Sequence, residues 1–279
     1  MSNCTIGYPL YSDVGVSQAP ALSGGSWSAT LPLTNVQDRR LGRVARSTDA
    51  TAANTKIIID LGTARAVGLL AILIPNITKS STPTVQWKGG TSSGASDVYN
   101  PGTQSYWPTG VTLEDVTGVD GSVLNVWSWL IPNAAQTARF WEVDIVDTAN
   151  ADGYLNVARL VICGAYTPTI NLAVGAKTGH ETETVRTVTP GGAALYNPKP
   201  RRRIDVFNIN DLSNAESYGT VRKIQRKLGT SGQLFWVPDP SDSTYGFERN
   251  YLGVLRDLSP LEMGVGAYLN TSWSITEDL

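Results

Sequence analysis

Lys56-Ile57-Ile58-Ile59-Asp60-Leu61-Gly62, Thr63-Ala64-Arg65-Ala66-Val67-Gly68 and Leu69-Leu70-Ala71-Ile72-Leu73-Ile74-Pro75-Asn76 form the stretch that decides the fold. Two apolar runs of strand length flank a Gly-containing polar segment, which reads as neighbouring strands with little room for a helix. Ile57–Ile59 and Leu69–Ile74 are nearly continuous rather than alternating, so both strands are expected to be buried on both faces. They form the keel of a β-sandwich.

Working outward, 279 residues exceed the commonest domain size and predict two domains. A hydrophobic content of 41% with 16% charged residues supplies full-sized cores and excludes global disorder. A net charge of -2 gives no whole-chain reason to expect nucleic acid. Twenty-seven Gly and 15 Pro make the chain turn-rich, and the excess of Trp and Tyr over Phe gives aromatics with a polar handle, suited to partners or sugars as well as cores. Cys4 and Cys163 are too few for a disulfide framework or a four-ligand zinc site; one bridge between them is open but not implied. The N-terminus lacks a basic segment followed by an apolar one, so secretion is not expected, and the sequons at Asn3, Asn76 and Asn270 carry little weight. No apolar run has the length of a membrane span. Synthesis in a cytoplasm, no membrane insertion and no cofactor are the expectations.

Residues 1–30 read as an arm with short edge strands around Tyr8, Tyr11 and Trp27. Arg39, Arg40, Arg43 and Arg46 follow within eight residues. The plain reading is a solvated loop; the sharper one is a ligand-facing loop whose guanidinium forks suit sugar hydroxyls and carboxylates. Thr84–Lys88 is a strand, and a polar loop from Gly89 to Gly110 holds Tyr99, Tyr106 and Trp107. Gly90–Gly94 formally matches Gly-x-Ser-x-Gly, but no helix follows it and His180 is the only histidine, which excludes a serine-hydrolase reading. Val123–Ile131 is a strand; in Arg139–Asp147 Trp141, Val143 and Ile145 alternate with Phe140, Glu142, Asp144 and Val146; Tyr154–Gly164 returns as the closing strand.

The order Arg46–Asp49, Ile57–Gly62 ending in Asp-Leu-Gly, Val67–Ile74, Ala138–Val143 and Leu155–Gly164 resembles the discoidin-like, galactose-binding-like jelly roll over residues 31–168. The loop after Arg46 lacks the tryptophan that many members carry, so their ligand contacts do not transfer. The resemblance implies a jelly roll that binds carbohydrate, for which Trp27, Arg39, Arg40, Arg43, Tyr106 and Trp107 are the available pieces.

Thr167-Pro168-Thr169 marks a change of composition and an expected domain boundary, with six of the eight Trp before it, as two separate cores require. In residues 169–279, His180–Val188 alternates as a strand, with His180 itself exposed in a Gly-rich turn. Pro198–Arg203 leads into the strand Ile204–Ile209. Asp211 is placed to cap a helix over 212–228, with Leu212, Ala215, Tyr218, Val221, Ile224 and Leu228 on one face and Gly229 as the stop. Arg222, Lys223, Arg226 and Lys227 complement the helix dipole and, with Arg201, Arg202 and Arg203, make a candidate assembly patch. No aromatics interleave with these cations, which argues against nucleic acid. Gln233–Val237, Leu252–Leu255 and Ala267–Ile275 complete the strands, and Asp239, Asp242, Glu248 and Asp257 lack the spacing of a calcium loop.

The expected fold is therefore all-β with one helix in the second domain: an N-terminal jelly-roll β-sandwich, then a small β-sandwich or barrel with a packed helix. The closing strand Leu269–Glu277 and the run Arg226–Pro240 resemble distal-tail or minor-tail proteins of long-tailed phages. That resemblance implies a non-enzymatic virion protein of a tail tip, made in the host cytoplasm. Its partners would be the tail tube, the tip hub and further copies in a homo-oligomeric ring, with the jelly roll decorating it. The alternative is a carbohydrate-binding module that recognises a bacterial surface glycan. Glu114 with Asp115, or Asp144 with Asp147, are the acid pairs an enzyme reading would need.

Overall fold

The computed structural model describes residues 2–14, 20–80, 82–108, 111, 116–117, 124–264 and 268–279. The chain is mostly antiparallel β, with a single helix longer than two turns among the described residues, as expected. One sheet has five strands in the order β2 (Ala21–Ser23), β4 (Ile57–Val67), β9 (Gln136–Val146), β6 (Thr84–Gly90) and β7 (Thr103–Ser105). The other has ten. Its first part runs β12 (Lys177–Thr182), β15 (Arg201–Leu212), β19 (Leu269–Glu277), β17 (Tyr251–Leu255) and β16 (Gln233–Val237). It continues through β1 (Thr5–Leu10), β11 (Arg159–Tyr166), β5 (Leu69–Leu73) and β8 (Trp127–Leu130), while β18 (Glu262–Met263) pairs with β19 beside this path. Two short pairs, β3 (Ala45–Arg46) with β10 (Asn156–Val157) and β13 (Val185–Val188) with β14 (Ala194–Asn197), lie outside both sheets.

The jelly-roll sandwich of the first half is built as its pattern dictates. Trp141, Val143 and Ile145 on β9 and Val85 and Trp87 on β6 are buried against Leu70 and Ile72 of β5 and Leu160 and Ile162 of β11. The keel strands, however, are not neighbours: β4 pairs with β9 and β5 with β11 and β8, so the chain changes sheets at Gly68. A Cβ on Gly68 would stand 2.6 Å from that of Ala165, so this crossing requires the bare backbone. β4 is therefore buried on one face and half-exposed on the other, whereas β5 is buried throughout.

β5 is covered twice because a second core lies on its far side. There Leu69, Ala71 and Leu73 meet Val161 and Cys163 of β11 together with Phe235, Val237 and Leu252 from beyond residue 168. Strand β1 carries the sheet across, pairing with β11 on one side and β16 on the other. The expectation of an N-terminal arm is thus corrected for Thr5–Leu10, an inner strand, though Ala21–Ser23 is an edge strand. Hydrogen bonding and packing both pass through the expected boundary at Pro168, so the halves share an interior.

Beyond that point a third core gathers Phe207, Ile209, Trp236, Tyr251, Trp273 and Ile275 under the helix. The helix occupies 214–228, later than expected, because Leu212 still pairs with Leu269 and Asp211 turns through φ 58°. Ser213 caps it, accepting from Glu216 N at 3.2 Å. A π turn over Ser217–Val221 shifts the phase of the apolar face. Val221, Ile224 and Leu228 face the core as expected, while Ala215 and Tyr218 are exposed. Gly229 at φ 57° ends it. Among the described residues no helix is long and apolar enough to cross a membrane.

Both cysteines are buried and free, and burial pushes the Cys4 thiol up to about 12.

Candidate functional site

The six residues expected to bind sugar do not converge. Tyr106 is buried, its hydroxyl accepting from Ile74 N at 2.9 Å and donating to Val126 O at 3.0 Å, and burial raises its pKa. Trp107 is also buried, donates to Thr78 O at 2.9 Å and meets Tyr106 edge-on. These two are core residues, which removes the expected aromatic platform. Trp27 is half-buried and donates to Gly24 O within its own loop.

Arg40 and Arg43 close locally on Asp38 at 2.7 and 3.0 Å, and the hydrogen bonds from Arg40, with those from Arg43 behind them, hold the Asp38 carboxyl well below the usual range. Arg39 turns to the second half of the chain, where it donates to Ser231 O and lies 3.8 Å from Asp278. Arg39, Arg40 and Arg43 therefore serve packing and local charge balance rather than a shared ligand face.

The expected assembly patch also divides. Arg203 is buried on Glu277 and donates to the carbonyls of Phe247, Glu248, Asn250 and Asn125, so it belongs to the interior. Arg222, Lys223 and Arg226 are exposed on the helix, and Arg201 and Arg202 start β15.

Of the candidate acid pairs, Glu114 and Asp115 lie outside the described residues. Asp147 is buried, accepting from Thr78 N and Asn150 Nδ2 at 2.8 Å, which makes it a loop staple. Asp144 sits instead with buried Glu142 between Lys56 and Lys88 on the outer face of the five-stranded sheet, beside a groove of about 320 Å³. The bond to Asp144, then that to Glu142, raises the Lys88 pKa, and because each lysine contacts both carboxylates the quartet is one closed charge network. Ser92 of the Gly-x-Ser-x-Gly stretch stands in an exposed loop, and His180 is exposed on β12. Among the described residues no three His, Cys, Asp or Glu side chains are grouped to hold a metal.

Two surfaces emerge that the sequence reading did not assemble, although it named Arg46 in the arginine loop and the strand ending at Val188. The first is a polar cluster where β3 and β10 pair, Asn156 opposite Arg46. The Arg46 guanidinium lies 4.1 Å above the Tyr154 ring, and its Nε donates to Asn156 Oδ1 at 3.0 Å. Asn156 N donates to Asn76 Oδ1, and Asn76 Nδ2 donates to Asp152 Oδ2 and Tyr154 O. Arg46, Tyr154, Asn156 and Asn76 are all half-exposed, and among the described residues the terminal guanidinium nitrogens of Arg46 make no hydrogen bond.

The second is an arm. β12 and β15 pair from Lys177 with Val206 to Thr182 with Arg201, and the same two chain segments continue outward as β13 and β14, Val185 opposite Asn197 and Val188 opposite Ala194. Lys199 N, donating to Thr184 Oγ1 at 3.2 Å, joins the two parts. On this two-stranded ribbon Val185, Val188, Leu195 and Tyr196 are 54–63% exposed. Periodicity marks the strand but does not reveal that, among the described residues, these side chains stay exposed.

No family model matches the chain, and no curated protein matches it. Solved structures resemble about half of it. The family 32 carbohydrate-binding module of Clostridium perfringens NanJ, in complex with galactose, is 13% identical over 53% of this chain and 93% of that one, with a TM-score of 0.37. A family 32 module from a family 31 glycoside hydrolase of the same organism is 16% identical over 55% and 98%, at 0.34. The lectin domain of lectinolysin with Lewis b antigen is 15% identical over 57% and 98%, at 0.35. Likenesses of this size concern the sandwich and say nothing of ligand or partner.

Proposed function

We propose that the chain is a non-enzymatic structural subunit of a multi-copy assembly, of the distal-tail or minor-tail type in a phage tail tip, with its jelly roll decorating that assembly. The observation that carries this reading is the uncovered ribbon Val185–Asn197. A two-stranded hairpin is marginal in water by itself, and exposed aliphatic and aromatic side chains along one are a feature of surfaces that neighbours cover. The phage assignment rests on the resemblance of the closing strands. The test is sedimentation of the purified chain together with antibody labelling of tail particles. Multiple copies in either are expected; a chain that is monomeric in solution and absent from particles refutes the reading.

A second reading, glycan binding by the jelly roll, is favoured by the Arg46–Tyr154–Asn156 cluster, which offers a free guanidinium fork, an amide and an aromatic edge on one face. Galactose and Lewis b oligosaccharide are the probes. Binding abolished by Arg46→Ala supports it; an array without signal removes it.

A further inference from the structure

Charge is distributed along β15 with opposite net sign at its two ends. At the arm end, residues 184–200 contain Arg186 and Lys199 and no acid, and at the root Arg201 and Arg202 stand beside Glu181 and Glu183, which leaves this end net positive. At the far end, Leu212 pairs with Leu269, Asp211 N donates to Asn270 Oδ1, and Glu262 pairs opposite Asn270. This foot has Asp211 and Glu262 exposed, together with Met263 at 89% and Tyr268 at 51% exposure. There is no lysine or arginine anywhere in residues 204–221 or 257–279, so no cation of these segments neutralises it. The helix cations begin only at Arg222, two turns after the helix leaves this end.

The strand between the two surfaces has 12 residues, a span of roughly 40 Å at about 3.3 Å per residue. Arm and foot of one molecule therefore cannot meet. We propose that copies of this chain associate head to tail, the basic, apolar arm of one lying on the acidic, apolar foot of the next; this rests on the multi-copy reading above and names its partner. Each contact joins unlike surfaces, so it is heterologous and either closes into a ring or continues as a filament. Apolar burial of Val188, Leu195 and Tyr196 against Met263 and Tyr268 supplies affinity, and the opposed charges set direction and exclude arm-to-arm pairing.

The test uses the full chain in sedimentation velocity. Arg186→Glu with Lys199→Glu on the arm, or Asp211→Asn with Glu262→Lys on the foot, is expected to weaken association about tenfold each, the sum of a few exposed ion pairs. Asparagine is chosen at 211 because that backbone lies in the left-handed region. All four changes together restore association. In a second measurement, Leu195→Cys with Met263→Cys cross-links between copies on oxidation, the two native thiols being buried. A chain that associates but ignores both reversals, or forms no such cross-link, overturns the arm-to-foot contact and leaves the multi-copy reading standing. A wild-type chain still monomeric at about 1 mM overturns the contact, and particle labelling alone then decides the wider reading.

Discussion

Replacing Arg203 by methionine is the most informative single perturbation of the fold. Arg203 and Glu277 are each only 3% exposed. Arg203 Nε donates to Glu277 Oε2 at 2.9 Å, its backbone N to the same oxygen at 3.1 Å, and its Nη2 to Oε1. Nη1 and Nη2 also serve carbonyls of Phe247, Glu248, Asn250 and Asn125 at 3.2–3.3 Å. With methionine in place, the Glu277 carboxylate keeps one backbone N–H, and four carbonyls, two of them buried and two part-buried, lose a donor. Removing one partner of a buried ion pair costs about 3–5 kcal/mol, against which methionine returns most of the lost packing volume. For a chain of this size that lowers Tm on the order of 10 °C. The assay is urea unfolding followed by tryptophan fluorescence, with Glu277→Leu and the double variant completing a cycle. The double variant should recover more than half of the loss, because two apolar side chains leave no unpaired charge. If Arg203→Met stays within about 1 kcal/mol of wild type, or the double variant is as unstable as the sum of the singles, the pair does not hold β15 to β19 as a buried ion pair.

Gly68→Ala should cost about 1–3 kcal/mol by overpacking against Ala165, and Ala165→Gly in the same chain should recover part of it in thermal melts. Asp205 has its pKa raised by burial, against the bonds from Tyr251, Thr178 and Trp236 that lower it. The folded state then binds the proton more tightly than the unfolded state, so stability falls as pH rises from the unfolded carboxylate range through the folded value. Asp205→Asn should flatten that part of the profile in unfolding titrations; an unchanged slope refutes the assignment. Replacing residues 185–197 by a two-residue turn should leave far-ultraviolet circular dichroism and Tm near wild type while abolishing self-association, since none of those side chains is buried.

The sandwich was legible where local pattern and burial coincide. Trp141, Val143 and Ile145 alternate in sequence and are buried in the structure, and the helix was found within two residues at its start. Thr5–Leu10 was not legible, because Gly7 and Pro9 interrupt it and its partners lie at Phe235–Val237 and Cys163–Tyr166, a pairing no local window contains. Tyr106 and Trp107 sit in a polar loop without periodicity, and their burial follows from the loop folding back on Ile74 and Thr78. Arg203 could have been found: it is in phase with Asp205, Phe207 and Ile209 on the buried side of β15, whereas the arginine triplet drew attention to surface charge. The Arg46 cluster unites residues over a hundred positions apart, beyond the reach of any motif.

The position of β1 has a consequence for synthesis. Its segment leaves the ribosome before both of its neighbours, β11 and, later still, β16. A nascent chain that has completed the sandwich still holds one side of that strand open, a template for intermolecular pairing until the closing strands arrive. Fragments cut at residue 168 inherit the same open side permanently, and should aggregate where the intact chain does not.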